Sequence, residues 1–133
     1  MTKENKILIT TSPYYVLEQS DPTRDKFVWS YEITIANNSD DAIQLLNRFW
    51  KITETTGKIE EIKGAGVLGQ QPLIQPGTEF IYTSYCQLST PQGTMEGYYE
   101  MQTVLGMRFN VEIPKFILSA PSSITAMYKS KLH

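Results

Sequence analysis

The residues with the clearest chemical potential lie in KGAGVLGQQP, residues 63–72, where Gly64, Gly66 and Gly69 stand at the spacing G-x-G-x-x-G behind Lys63. In dinucleotide-binding loops this spacing lets bare peptide N–H groups approach a pyrophosphate, and a helix opening at the third glycine lends its N-terminal dipole. Half of that context is present, because KIEEI leads in as a strand. The other half is missing. Pro72, Pro76 and Gly77 leave no room for a helix to continue beyond Gly69, since proline lacks the amide that an interior turn must donate. With the dinucleotide fold set aside, two readings of the loop remain. In one, the glycines supply positive φ or a close backbone approach. In the other, successive amides of Gly64, Gly66 and Gly69 form a concave nest for phosphate or a nucleotide, with Lys63 as the cation. On the second reading, a bulky residue at Gly66 is expected to block the ligand while the fold survives.

Other constellations fall short of a site. The one histidine is His133, the last residue, and Cys86 has no second thiol at ligand spacing, so a nitrogen and sulfur metal centre is not supported. Asp40 and Asp41 follow Asn37, Asn38 and Ser39. That run suits a solvated turn, or at most a weak oxygen-lined site for a hard cation. Cys86 closes FIYTSYC with no base to activate it and reads as a small buried hydrophobe. Glu60 and Glu61 are neighbours on a presumed strand, so they point to opposite faces and do not converge as acid and base. Glu96 and Glu100 read as solvated strand residues. An enzyme of phosphate esters would need a metal site that the chain does not display. Aromatic side chains remain. Tyr14, Tyr15, Trp50 and Tyr98 are the candidates for an outer face, where any that emerges would anchor a protein partner.

The elements that must carry these residues are strands. In FVWSYEITIAN, Phe27, Trp29, Tyr31, Ile33 and Ile35 occupy alternate positions, with Ser30, Glu32 and Thr34 between them. A strand sends such a set to one face, whereas a helix would scatter it. MRFNVEIPKF repeats the pattern, and Pro114 within it marks the end of pairing or an edge. ILITTSPYYVL, IQLLNRFWKIT, KIEEI, TEFIYTSYC and GYYEMQTV are further strands, separated by NNSDD, TTG, QPG and TPQG. VLGM predicts a tight hairpin at Gly106. DDAIQLLNRFW is open to a short helix capped by Asp41, but the β-favouring KIT continues it as a strand. Strands punctuated by turns, with no helices between them, imply an antiparallel sandwich or barrel. Residues after about 119 read as a short tail.

Composition agrees with one soluble domain spanning 1–133. The chain is 41% hydrophobic and 20% charged with a net charge of −2, which gives no global basic field for nucleic acid or anionic lipid. A single cysteine fits a reducing compartment. The opening MTKENKILITTSPYY lacks the apolar run of a leader, and no stretch is long enough to cross a bilayer. The expected location is cytoplasmic.

These residues, taken in order, resemble the ApaG family from about Ile7 to the end. The likeness rests on FVWSYEITIANNSDDAIQLLNRFWKIT, on G-x-G-V-x-G-x-Q-P from Gly64 to Pro72, on TPQGTMEGYY, and on F-x-V-x-I-P-x-F-x-L from Phe109 to Leu118. The resemblance implies an immunoglobulin-like or fibronectin type III-like β-sandwich of about seven or eight strands. It implies no established catalytic activity, a genetic link to cobalt resistance and magnesium efflux, and use as an interaction module beside F-box and polymerase-interacting domains. The family's loop has been considered a phosphate or nucleotide site, which carries over to Gly64, Gly66 and Gly69. This chain departs from common patterns at Phe49, where many relatives have histidine, at Ala65 for proline and at Gln70 for glutamate. The first departure removes a potential metal ligand, and the last makes the loop friendlier to an anion. The expectation is an all-β, non-catalytic module that binds a protein partner, or alternatively phosphate or a nucleotide at 64–69. It is expected to use no cofactor, to bind neither nucleic acid nor membrane, and to be a monomer or homodimer.

Overall fold

A computed structural model of the chain describes residues 6–131. His133, weighed above as a metal ligand, and Met1–Asn5, where the reading of the leader begins, lie outside the described residues. Among the described residues there are eight strands in chain order. They are β1 (Ile7–Tyr15), β2 (Phe27–Asn37), β3 (Ile43–Glu54), β4 (Ile59–Ala65), β5 (Leu73–Ile74), β6 (Glu79–Leu88), β7 (Gln92–Thr103) and β8 (Arg108–Ser119). A helix, α1 (Ser122–Lys131), follows. The first sheet has the order β1-β2-β6, and the second has the order β4-β3-β7-β8 with β5 also paired to β3. Every pairing is antiparallel. The sandwich expected from the strand pattern is the fold.

Alternation decides what fills the space between the sheets. Phe27, Trp29, Tyr31, Ile33 and Ile35 of β2 are all buried, and they meet Leu45, Trp50 and Ile52 of β3, Tyr99 and Met101 of β7, and Val111, Ile113 and Leu118 of β8. Tyr31 sets its ring edge-on to Trp50 at 5.6 Å. Each large side chain buried in this way contributes about 1.5–3 kcal/mol of transfer free energy. Gross stabilisation of this kind offsets the entropy of ordering the strands.

Two breaks in the period govern the second sheet. In β3 the register with β7 shifts between Leu45 and Asn47, so Leu46 is an extra residue. In β7 the register with β8 shifts between Met95 and Gly97. Such bulges re-aim the side chains that follow them. Pro114 lies inside β8, which runs on to Ser119 at the sheet's edge. Of the two readings of that proline the edge is correct, because no strand asks for its missing amide. Gly106 turns the β7–β8 hairpin, and its N–H donates to the Thr103 carbonyl at 3.0 Å.

The segment read as a tail is partly helical. Within α1, Tyr128 packs edge-on to Phe27 at 5.2 Å, and Ile124 also rests on the core. Their i, i+4 spacing on one face was the available signal. It spans too few residues to register as a periodic pattern. The turn at Asn37–Asp41 is organised by Asn37, whose Nδ2 donates to the carbonyls of Asp41 and Ile74 while its Oδ1 accepts from Ser39. No group of three or more metal-ligating side chains gathers there or elsewhere among the described residues. None of the described helices is long and apolar enough to cross a membrane.

Candidate functional site

The outer face of the second sheet carries the most distinctive surface. Because Leu46 is extra, Asn47, Phe49 and Lys51 point outward, while Arg48 lies on the same side as buried Trp50. Register then aligns rows across four strands. One row runs Lys63, Phe49, Tyr98, Glu112, and a second runs Ala65, Asn47, Glu100, Asn110. Phe49 and Tyr98 stack with ring centroids 4.9 Å apart and planes 20° from parallel. Lys63 Nζ stands 5.3 Å from the centre of the Phe49 ring. The ring pair contributes about 0.5–1.5 kcal/mol beyond its buried area. The exposed cation adds about 0.5–1 kcal/mol.

Polar groups frame this stack. Glu100 accepts a hydrogen bond from Asn47 Nδ2 at 2.7 Å and lies 3.7 Å from Arg108. Glu96 pairs with Lys115 at 3.8 Å. Two shallow depressions flank the aromatic pair and share Phe49, Tyr98 and Asn110. One, of about 490 Å³, also has Asn47, Arg48, Lys63, Gly64 and Glu100 in its wall. The other, of about 350 Å³, has Lys51, Glu96 and Glu112. The arrangement can stack a planar or apolar group and hold polar groups on either side. It contains no nucleophile beside a base.

Beside this surface, β4 leaves the edge of β3 at Ala65 and β5 rejoins the same edge at Leu73. The glycine motif is the excursion between them. It begins in the strand, since Gly64 pairs with Arg48. It then closes a four-residue turn in which Val67 N–H donates to the Gln70 carbonyl at 2.8 Å and Gln70 N–H returns the bond at 2.9 Å. Gly66 N–H donates to the carbonyl of the extra residue Leu46 at 2.8 Å. Gln71 Nε2 donates to that same carbonyl at 2.9 Å. The excursion therefore satisfies the backbone that the bulge exposes.

The motif's glycines do different work. Gly66 has φ of 60°, and a Cβ on it would lie 2.0 Å from the Gln70 carbonyl oxygen. Space and conformation both require glycine there. This corrects the expectation that a bulky residue at Gly66 would spare the fold. Gly64 has no such φ. A Cβ on it would sit 2.7 Å from the Arg48 guanidinium carbon, so the bare peptide is a seat for that flat cation. Arg48 Nη1 donates to the carbonyls of Ala65 at 3.1 Å and Gly66 at 2.9 Å.

Of the residues singled out by sequence, the structure brings Lys63 and Gly64 together at the outer face. Gly66 is buried in the turn, and Gly69 lines a different cavity on the inner side of Arg48. Tyr98 and Tyr14 emerge at the surface. Tyr15 packs on Trp29 at 5.4 Å. Trp50 is 2% exposed and belongs to the core, which removes it as an outer anchor. The sequence marked Phe49 only as a lost metal ligand and left Arg48 unmarked. Their signal was the RFW run, but the bulge that separates their faces is invisible in an unbroken strand pattern.

Buried hydroxyls and the thiol show no reactive poise. Tyr82 and Tyr99 hydrogen-bond to each other through their hydroxyls inside the core. Burial pushes both phenols up, and Tyr31 as well. Burial likewise raises the Cys86 thiol to about 12, with Glu60 and Glu54 adding to the effect. That thiol is protonated at neutral pH, as expected of a small core residue.

Known proteins bear directly on this geometry. The family model described as the ApaG domain matches residues 17–103. Protein ApaG of Agrobacterium fabrum is 50% identical over 115 residues, covering 86% of this chain and 88% of that protein. Protein ApaG of Rhizobium leguminosarum bv. trifolii is 43% identical, with 96% of each chain covered. The crystal structure of an ApaA protein from Bordetella pertussis superposes with a TM-score of 0.84 at 42% identity, covering 86% of this chain and 94% of that one. The chain belongs to the ApaG domain family.

Proposed function

We propose that this protein is a cytoplasmic binding module without catalytic activity, and that it engages a protein partner through the outer face of its second sheet. The supporting observation is the Phe49–Tyr98 stack, held on paired strands at the surface with Lys63 above it. Exposed aromatics that are already ordered lose little entropy on contact and are enriched among residues that dominate interface energies. The depressions on either side receive a partner's side chains, and Glu96, Glu100 and Glu112 with Lys51 and Lys63 set its orientation by charge.

The test is affinity capture from a cell extract followed by calorimetry with the recovered protein, using Phe49→Ala/Tyr98→Ala as control. The expected result is a specific partner whose binding weakens at least tenfold in the variant while its melting curve stays cooperative. Equal binding by the variant would refute the surface. Turnover of a screened substrate with no partner recovered would refute the module.

A second reading places a phosphate or nucleotide at the Lys63 end of the 490 Å³ depression. It is favoured by Lys63, Arg48, Asn47 and Asn110 lining that depression, against which stands the Glu100 carboxylate in the same wall. The turn contributes little to it, because the Gly66, Val67 and Gln70 amides already donate to backbone carbonyls. Heat evolved with pyrophosphate and abolished by Lys63→Ala would support this reading. Binding untouched by that substitution would remove it.

A further inference from the structure

Arg48 is a half-buried cation that the outer-face reading does not use. Among the described residues no carboxylate pairs with it. A buried or half-buried charge ordinarily finds a counter-charge. The plane of Arg48 lies flat over Gly64, and both N–H groups of Nη1 are taken by the carbonyls of Ala65 and Gly66. Those bonds hold the guanidinium rigidly and leave the Nε–Nη2 edge. That edge is one of the two forks with which an arginine grips a pair of oxygens.

The inner side of Arg48 borders a cavity of about 300 Å³ lined from both sheets, which among the described residues shares Arg48 alone with the depressions on the outer face. Trp50, Ile62 and Val67 make its apolar wall, and Tyr31 and Ser84 bring hydroxyls. Leu68, 62% exposed, stands at the rim. Among the described residues Arg48 is the one cation that lines it, since Lys63 projects to the other face. An aromatic and aliphatic wall with a few placed polar groups, here one cation and the tyrosine and serine hydroxyls, is the usual build of a small-molecule site, and this volume is at the small end of that range.

We infer that the cavity between the sheets binds a small organic monocarboxylate with an apolar body, gripped by Arg48 and oriented by the glycine motif. One cation neutralises one charge, which favours a carboxylate over a phosphate dianion. The apolar wall requires a body on the order of one aromatic ring. On this view the motif's first glycine exists to seat an arginine, and the anion meets the guanidinium in place of bare amides. The inference does not rest on the outer-face reading, although Arg48 and Gly64 also line the larger outer depression.

The test titrates the unaltered protein with phenylacetate, phenylacetamide and phenyl phosphate, reading tryptophan fluorescence and the backbone amide resonances of Val67 and Ser84. Phenylacetate is expected to saturate and to shift those amides, with phenylacetamide and phenyl phosphate each at least tenfold weaker. Arg48→Lys keeps the charge but loses the fork, and Gly64→Ala displaces it. Each is expected to weaken phenylacetate at least tenfold. Should either variant fail to fold, the three-ligand comparison on the unaltered protein decides alone. The inference is overturned by absent saturation, by equal binding of the amide, by tighter binding of the phosphate, or by shifts confined to Phe49 and Tyr98. Unchanged affinity in a folded Arg48→Lys protein also overturns it.

Discussion

Replacing Gly66 by alanine separates a glycine that shapes the turn from one that serves a ligand. The new Cβ would meet the Gln70 carbonyl oxygen at 2.0 Å, and the residue keeps φ of 60°. Holding alanine in the left-handed region costs about 1–2 kcal/mol. Relief of the clash pushes Gln70 away and breaks the two reciprocal bonds between Val67 and Gln70, each about 0.5–1.5 kcal/mol. The loss is therefore about 2–5 kcal/mol. An unfolding entropy of about 2.1 cal/mol/K per residue gives about 0.28 kcal/mol/K for 133 residues, so the midpoint should fall by about 7–18 °C. Gly69→Ala is the internal control. It shares a positive φ, 75°, but meets nothing within 4 Å, so only the conformational term applies and the fall is about 4–7 °C. Gly64→Ala displaces the end of a flexible side chain and should lower the midpoint by about 4 °C, the equivalent of about one hydrogen bond. Differential scanning calorimetry on the three proteins measures the order directly. Gly66→Ala melting no lower than Gly69→Ala would show that the turn does not confine Gly66 as described.

Three further outcomes follow from the packing. Tyr31, Tyr82 and Tyr99 have phenols raised above 10.0 by burial, so the unfolded chain ionises first and stability, complete below pH 10, falls as pH rises beyond it. The slope should reach about 1.4 kcal/mol per pH unit for each of Tyr82 and Tyr99, with Tyr31 adding in the same direction, and urea melts between pH 9 and about 11.5 measure it. A flat profile there would refute the burial of these hydroxyls. Phe49→Ala and Tyr98→Ala should show a coupling of about 0.5–1.5 kcal/mol in a double-mutant cycle by urea denaturation, and strict additivity would mean that the rings do not stack in solution. Cys86, 7% exposed with its thiol raised to about 12, should resist iodoacetamide at pH 8 in the folded protein and react promptly in urea. Rapid labelling of the native state would contradict its place in the core.

The strands of this protein were legible because their side chains alternate. Phe27 to Ile35 and Phe109 to Ile113 carry their own facing rule, and NNSDD and TPQG mark where it stops. The failure of the glycine motif as a dinucleotide loop was legible too, since Pro72, Pro76 and Gly77 forbid the helix. The site was less so. Trp50 and Phe49 are neighbours in RFW, yet one is core and the other is surface, and the RFW run itself does not say which. The residues after 119 hid a helix because, among the described residues of α1, only Ile124 and Tyr128 rest on the core.

The amino-acid order alone determined that two apolar faces would meet and that no helix would spring from Gly69, because periodicity and proline geometry are properties of the local chain. The tertiary structure decided what the glycines are for. Strand pairing laid Arg48 over Gly64 and returned the turn's amides to backbone carbonyls. Pairing partners are chosen by the whole sheet, and a single extra residue at Leu46 inverts every side chain beyond it.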